Sequence, residues 1–146
     1  MKAIEQRLPK EIDKSFIVFR EKGKFFPVPW HFHPEYELVQ VTKSTGRRMV
    51  GDHIGNFDEG DLVLMGPLLP HVWVNDPIYL QGEETEAADA SVVQFVNNFL
   101  GDNFLEIPEL NNFQRVLQLS NFGLEINGKA KLQINELMKK MLFANG

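Results

Sequence analysis

From Tyr36 to Thr42 the chain alternates, placing Glu37, Val39 and Val41 on one face of an extended segment and Leu38, Gln40 and Thr42 on the other. Short apolar runs of the same kind recur at SFIVFR (Ser15 to Arg20), LVLM (Leu62 to Met65), HVWV (His71 to Val74) and SVVQFV (Ser91 to Val96). Turn residues punctuate them. KSTG leads into RRMVGDHIG, a hairpin in which Gly46 is expected to supply a positive φ, and NFDEGD marks a second turn. Pro27 and Pro29 in EKGKFFPVPW allow an extended edge but no central ladder. The acidic stretch DPIYLQGEETEAADA, with Glu83, Glu84, Glu86 and Asp89 close together, reads as a solvated loop because like charges repel and extend a chain. In the last third the period shifts to about 3.6: Leu110, Phe113, Val116 and Leu117 mark one helix, Ile134, Leu137, Met138, Met141 and Leu142 a second, with NFGLEING as the break. The expected architecture is mainly β, a closed antiparallel barrel or sandwich over residues 15–100, followed by two helices over residues 101–146. Residues 1–14 are polar and read as a flexible arm.

Length and composition narrow what such a chain can do. At 146 residues it is one domain, long enough to bury roughly 70% of its unfolded surface, so folding requires no metal or disulfide. The absence of cysteine removes thiolate sites, and any metal must be held by histidine and carboxylate. A net charge of −5 opposes a phosphate backbone, which excludes nucleic-acid binding by these residues. The first twenty residues mix charges throughout, and no later run approaches the ~18 apolar residues of a membrane span, so the default expectation is a cytoplasmic protein with no membrane partner.

The chemistry concentrates in WHFHPEYELVQV, Trp30 to Val41. In a strand, residues two apart face the same way, so His31 and His33 present both imidazoles to one side, and Glu37 has the same parity unless Pro34 and Glu35 introduce a bulge. His71 on a later strand can complete a set of three histidines and one glutamate. Imidazole with one carboxylate suits Zn, Ni, Fe(II) or Mn(II), with positions left for water or a ligand. A lone strand histidine is usually a hydrogen-bonded wall residue; the spacing is what argues for a site.

That spacing resembles the first motif of the cupin family, H-x-H followed three or four residues later by Glu and then by Gly. Here these are His31, His33 and Glu37, with Gly46 two residues later than usual. Gly60, His71 and Asn75 fit the second cupin motif, while Gly66 and Leu68 stand where Pro and Gly are expected. The displaced prolines of GPLLPHVW, together with GDHIGNFDEGDLVLMGPLLPHVWVND and VVQFVNNFLGDNFLEIPEL, look like the amino-terminal regulatory half of AraC-type transcriptional regulators, over about residues 15–142. The resemblance implies a cupin-type barrel (a double-stranded β-helix or jelly roll) that senses a small molecule, often a sugar. It implies helices that pair two subunits, and signalling to helix-turn-helix motifs in a separate carboxy-terminal half that binds DNA. No basic recognition helix follows the second amphipathic helix, so the chain is expected to be a sensor portion without its DNA-binding half.

Around the candidate ligands, Trp73 shares the parity of His71 and Val39 that of Glu37, making both candidates for ligand contact. Glu35 is the one further acid or base at hand. Arg47, with Arg48 beside it, starts a strand near the barrel mouth, where a guanidinium can grip a carboxylate or hydroxyl of an effector. Trp30 and Phe32 have the opposite parity and belong to core, and His53 lacks a partner at ligand spacing. The Met138, Met141 and Leu142 stripe serves either domain core or a homodimer through the carboxy-terminal helices. The leading expectation is a sensor without catalysis of its own. The alternatives are a small metal-dependent cupin enzyme, a dioxygenase or an isomerase, and a stand-alone sugar-binding module.

Overall fold

The computed structural model describes residues 2–7 and 14–144. Two five-stranded sheets face each other. Numbered along the chain, the first runs Ile4–Glu5 (β1), His31–Phe32 (β3), His71–Asn75 (β8), Gly46–Val50 (β5), His53–Phe57 (β6), and the second runs Leu124–Glu125 (β10), Leu62–Met65 (β7), Tyr36–Lys43 (β4), Ala88–Phe95 (β9), Phe16–Gly23 (β2). β1 is parallel to β3, and the remaining described pairings are antiparallel. The described residues also form three α-helices, Pro77–Gln81 (α1), Asn111–Leu119 (α2) and Gly128–Phe143 (α3), with short 3-10 turns on either side of α2.

Both sheets turn β-branched and aromatic residues inward. Val39 and Val41 of β4, Ala90 and Val92 of β9, Val63 and Met65 of β7, Val50 of β5, Phe57 of β6 and Trp73 of β8 form one buried cluster. The opposite face of the second sheet is dry as well, because Met138 of α3 packs with Leu62 and Val93, flanked by Ile134 and Met141. Two-sided burial explains why almost every residue of β9 is withdrawn from solvent, the polar Asp89, Ser91 and Gln94 included.

Several expectations need correction. The positive φ of the KSTG turn falls on Ser44 (φ 97), whereas Gly46 is ordinary strand backbone. Gly46 is required for space instead: an added Cβ would run into the Val74 carbonyl oxygen and come within 2.9 Å of Asn75 Cα. β4 and β5 lie in different sheets, and the hairpin is β5–β6, turned at Gly51 (φ 59). Asp89 is not part of a solvated loop; it is buried in β9 and paired to Arg20 on the adjacent strand β2. The break between the helices contributes an edge strand, β10, paired with β7, so the 101–146 segment is not helical throughout. The flexible arm expected over residues 1–14 is in part a strand: Ile4 N–H donates to Trp30 O (3.1 Å) and Gln6 N–H to Phe32 O (2.8 Å), tying β1 to β3. Residues 1 and 8–13 of that arm lie outside the described residues.

Of the predicted carboxy-terminal stripe, Ile134, Met138 and Met141 pack on the barrel, while Leu137 is 56% exposed. Leu132 and Phe143, eleven residues and so three turns apart, lie on the side of α3 opposite that packed face and are exposed.

Candidate metal and ligand site

The three histidines arrive from two neighbouring strands. β3 pairs with β8 so that His31 stands opposite His71, and the bend at Pro34–Glu35 delivers His33 to the same side before β4 begins. The expected parity therefore survives the break. Ring centroids lie 4.3 Å apart for His31 and His71, 5.0 Å for His33 and His71, and 5.8 Å for His31 and His33. Each residue offers one ring nitrogen to a cluster whose members lie within 4.8 Å of one another, and all three are buried.

The local chain also sets which nitrogen points inward. His31 Nδ1 lies 2.7 Å from Pro29 O, His71 Nδ1 2.7 Å from Leu69 O, and His33 Nδ1 3.2 Å from Glu35 O. A carbonyl only accepts, so each Nδ1–H donates to the nearby backbone and Nε2 is left for the interior, the arrangement that orients metal-ligating imidazoles.

Glu37 lies beside the three histidines, against His33. Its Oε2 is 2.8 Å from His33 Nε2 and accepts from Gln94 Nε2 at 2.7 Å, Gln94 being its register partner on β9. His71 Nε2 is 3.6 Å from Glu37 Oε1, too far for a hydrogen bond, and remains a buried nitrogen without a partner. Burial by itself would raise the Glu37 carboxyl, but the His33 hydrogen bond and the nearby His71 hold it well below the usual carboxylate range. Burial likewise works against charge on His33, yet its bond to Glu37, with Glu35 alongside, lifts it above an ordinary imidazole. His31 is lowered, by burial first and by the neighbouring His71 second. Without metal, His33 and Glu37 form a buried hydrogen-bonded pair flanked by His31 and by the unpartnered Nε2 of His71.

This donor set fits a divalent transition ion. Three nitrogens within 4.8 Å of one another lie at most about 2.8 Å from a common centre, so drawing them to the ~2.0–2.1 Å of a metal bond moves each ring by under about an ångström. The orphaned His71 Nε2 is the kind of buried group a metal satisfies.

Beside the cluster lies a cavity of about 190 Å³. Val39 and Trp73 line it together with His31, His71 and Glu37. Glu35 and Arg47 do not. Glu35 sits behind His33, with Oε2 3.5 Å from Nδ1, and Arg47 is exposed because β5 turns Gly46, Arg48 and Val50 inward. Arg48 is the buried guanidinium, held to Asp61 at 2.8 and 3.1 Å. Sequence reasoning missed Gln94, Glu21, Phe19 and Phe26 in the wall. A signal existed for two of them: Gln94 interrupts an apolar strand, and Glu21 keeps the parity of Phe19.

No family model matches the sequence, and no curated protein matches it. Among solved structures, ToxT from Vibrio cholerae O395 bound to (E)-4-(8-methylnaphthalen-1-yl)but-3-enoic acid superposes with a TM-score of 0.51 and 12% identity, over 91% of this chain and 51% of that one. Apo ToxT K231A from Vibrio cholerae strain SCE256 gives 0.50 and 13%, over 90% and 49%. A cupin 2 conserved barrel protein from Rhodopseudomonas palustris gives 0.42 and 17%, over 61% and 57%. The fold is shared with the ToxT structures over nearly the whole of this chain: two facing sheets followed by carboxy-terminal helices. At these identities the likeness is one of fold, and the chain spans about half the length of ToxT. No described helix is long and apolar enough to cross a membrane.

Proposed function

We propose that the chain is the ligand-sensing domain of an AraC-type transcriptional regulator. It takes a small molecule in the barrel cavity, beside a divalent metal (Zn, Ni, Fe or Mn) held by His31, His33, Glu37 and His71. The observation that carries the reading is the cavity itself: an interior space walled by Trp73 and Val39 that opens onto the histidine cluster. A bound ion supplies a Lewis-acid anchor for a ligand heteroatom. The protein's own contribution is to orient the imidazoles through three backbone carbonyls, to exclude water with Trp73 and the valines, and to hold Glu37 ionised through His33 and Gln94. Seven of the thirteen lining residues are apolar, which suits a ligand with an apolar body better than a sugar.

Occupancy is reported through a homodimer formed by the carboxy-terminal helices, whose exposed Leu119, Phe122, Leu132 and Phe143 supply an apolar surface. DNA is the partner of the longer regulator, not of these residues. A ligand shifts such an equilibrium only by its differential affinity for the two states. The test is a calorimetric titration with compounds of about ten non-hydrogen atoms, paired with sedimentation velocity. A saturable binder, lost when Val39→Trp fills the cavity and altering the monomer–dimer balance, supports the reading. A cavity that binds nothing across the panel overturns it.

A small metal-dependent enzyme is the second reading, favoured by one observation. Glu21 adds to the cavity wall a carboxyl that the sequence pattern did not reveal, raised by burial and then by the charge of Glu37, as a general acid requires. Consumption of a ligand during titration would decide for it.

A further inference from the structure

Taking the barrel cavity as a ligand site, we infer that its ligand is a small amine, a protonated nitrogen on an aromatic or branched body of about eight to ten non-hydrogen atoms, and that Glu21 is the residue that selects it. Size sets the first limit. A cavity of ~150 Å³ holds benzene, so one of about 190 Å³ holds a substituted ring and excludes a long acyl chain or a disaccharide.

Charge sets the second. Among the described residues lining the cavity there is no lysine or arginine, and the two formal charges at neutral pH are the carboxylates of Glu21 and Glu37. They are not equivalent. Glu37 is committed to His33 and Gln94. Glu21, on β2, is half-buried and is neither hydrogen-bonded nor ion-paired among the described residues. With no ion in the histidine cluster, a free carboxylate would enter a wall that holds no lysine or arginine and two like charges, whereas an ammonium would find in Glu21 a partner that the fold has left unpaired.

The remaining wall agrees with this choice. Phe19, Phe26 and Trp73 give aromatic faces that attract both an ammonium and an apolar ring. Trp73 Nε1 is a buried donor without a partner, which assigns an acceptor atom, such as a hydroxyl or carbonyl oxygen, to the other end of the ligand.

Three probes of one shape and different charge test this: tyramine, tyrosol and 4-hydroxyphenylacetate, titrated calorimetrically into chelator-stripped protein. The expected order is tyramine tightest, tyrosol weaker by about tenfold or more, the increment of one charge-assisted hydrogen bond, and 4-hydroxyphenylacetate without saturable binding. Glu21→Gln is expected to bring the tyramine-to-tyrosol ratio to about one, and Glu21→Asp to retain most of it, with thermal melts confirming that both variants fold. Tyrosol or 4-hydroxyphenylacetate binding as tightly as tyramine, or an unchanged ratio in Glu21→Gln, overturns the assignment while leaving the cavity a ligand site. Failure of all three probes also overturns it; toluene binding that Val39→Trp abolishes would then keep the cavity reading, and its absence would remove both.

Discussion

Replacing Glu37 by Gln keeps the shape of the site and removes the charge that opposes His33. In the wild type without metal, His33 Nε2–H donates to a buried carboxylate at 2.8 Å. Glu37 is held below its ordinary 4.5, so its stabilisation is present above pH 4.5 and is lost as pH falls through its folded value. His33 is raised above 6.5, so its contribution is complete below pH 6.5 and disappears as pH climbs through its folded value. The pair therefore stabilises fully only between those two ordinary values. A charge-assisted bond contributes roughly 1.5–3 kcal/mol and a neutral one roughly 0.5–1.5. The introduced amide still accepts from His33 and places a donor toward the unpartnered His71 Nε2. The net loss in Glu37→Gln is then about 1–2 kcal/mol near pH 5.5, or roughly 2–8 °C in Tm for a domain of this size, and it is smaller at pH 9, farther above the ordinary imidazole value. Urea unfolding with chelator present at both pH values measures the difference, and the proton NMR titration of His33 should drop to a midpoint at or below the ordinary one. An equal loss at both pH values, or an unmoved His33 titration, refutes the ion pair.

Three further outcomes follow from the packing. Met138→Ala, at a site 1% exposed under the second sheet, costs about 2–5 kcal/mol by chemical denaturation, whereas Leu132→Ala on the outer side of α3 changes little at protein concentrations where the chain is monomeric. Asp61→Ala leaves the buried Arg48 guanidinium with only Glu125 at 3.5 Å and costs about 3–5 kcal/mol, and adding Arg48→Met should return much of that stability. Gly46→Ala forces β5 and β8 apart and costs about 1–3 kcal/mol or more, a loss visible in the thermal melt; a change under about half a kcal/mol would mean that space is not why glycine stands there.

What the sequence made legible depended on period. The alternation through β4, the apolar LVLM of β7 and the 3.6 pattern of α3 are local signals, and each falls where the structure has its element. The histidine cluster was legible for the same reason: parity within one strand survives even the bend after His33. The parts that were hidden are set by partners distant in sequence. β10 is two residues long and exists only because β7 offers it an edge, and β1 is tied to β3 in the same way. Asp89 looked like one more acid in an acidic loop because its counter-charge, Arg20, lies on another strand. Arg47 and Arg48 are adjacent, so only the register of β5 against β8 tells which one enters the barrel.

Equilibrium dialysis of tag-free, chelator-stripped protein against Zn, Ni, Mn and anaerobic Fe(II), followed by elemental analysis, decides whether the histidine cluster is a metal centre. One ion per chain for at least one of these metals, with uptake lost in His71→Ala and strongly weakened in His31→Ala, is the predicted result. Less than about a tenth of an equivalent for every metal, or full uptake by His71→Ala, would contradict the claim that the three imidazoles and Glu37 form one metal site.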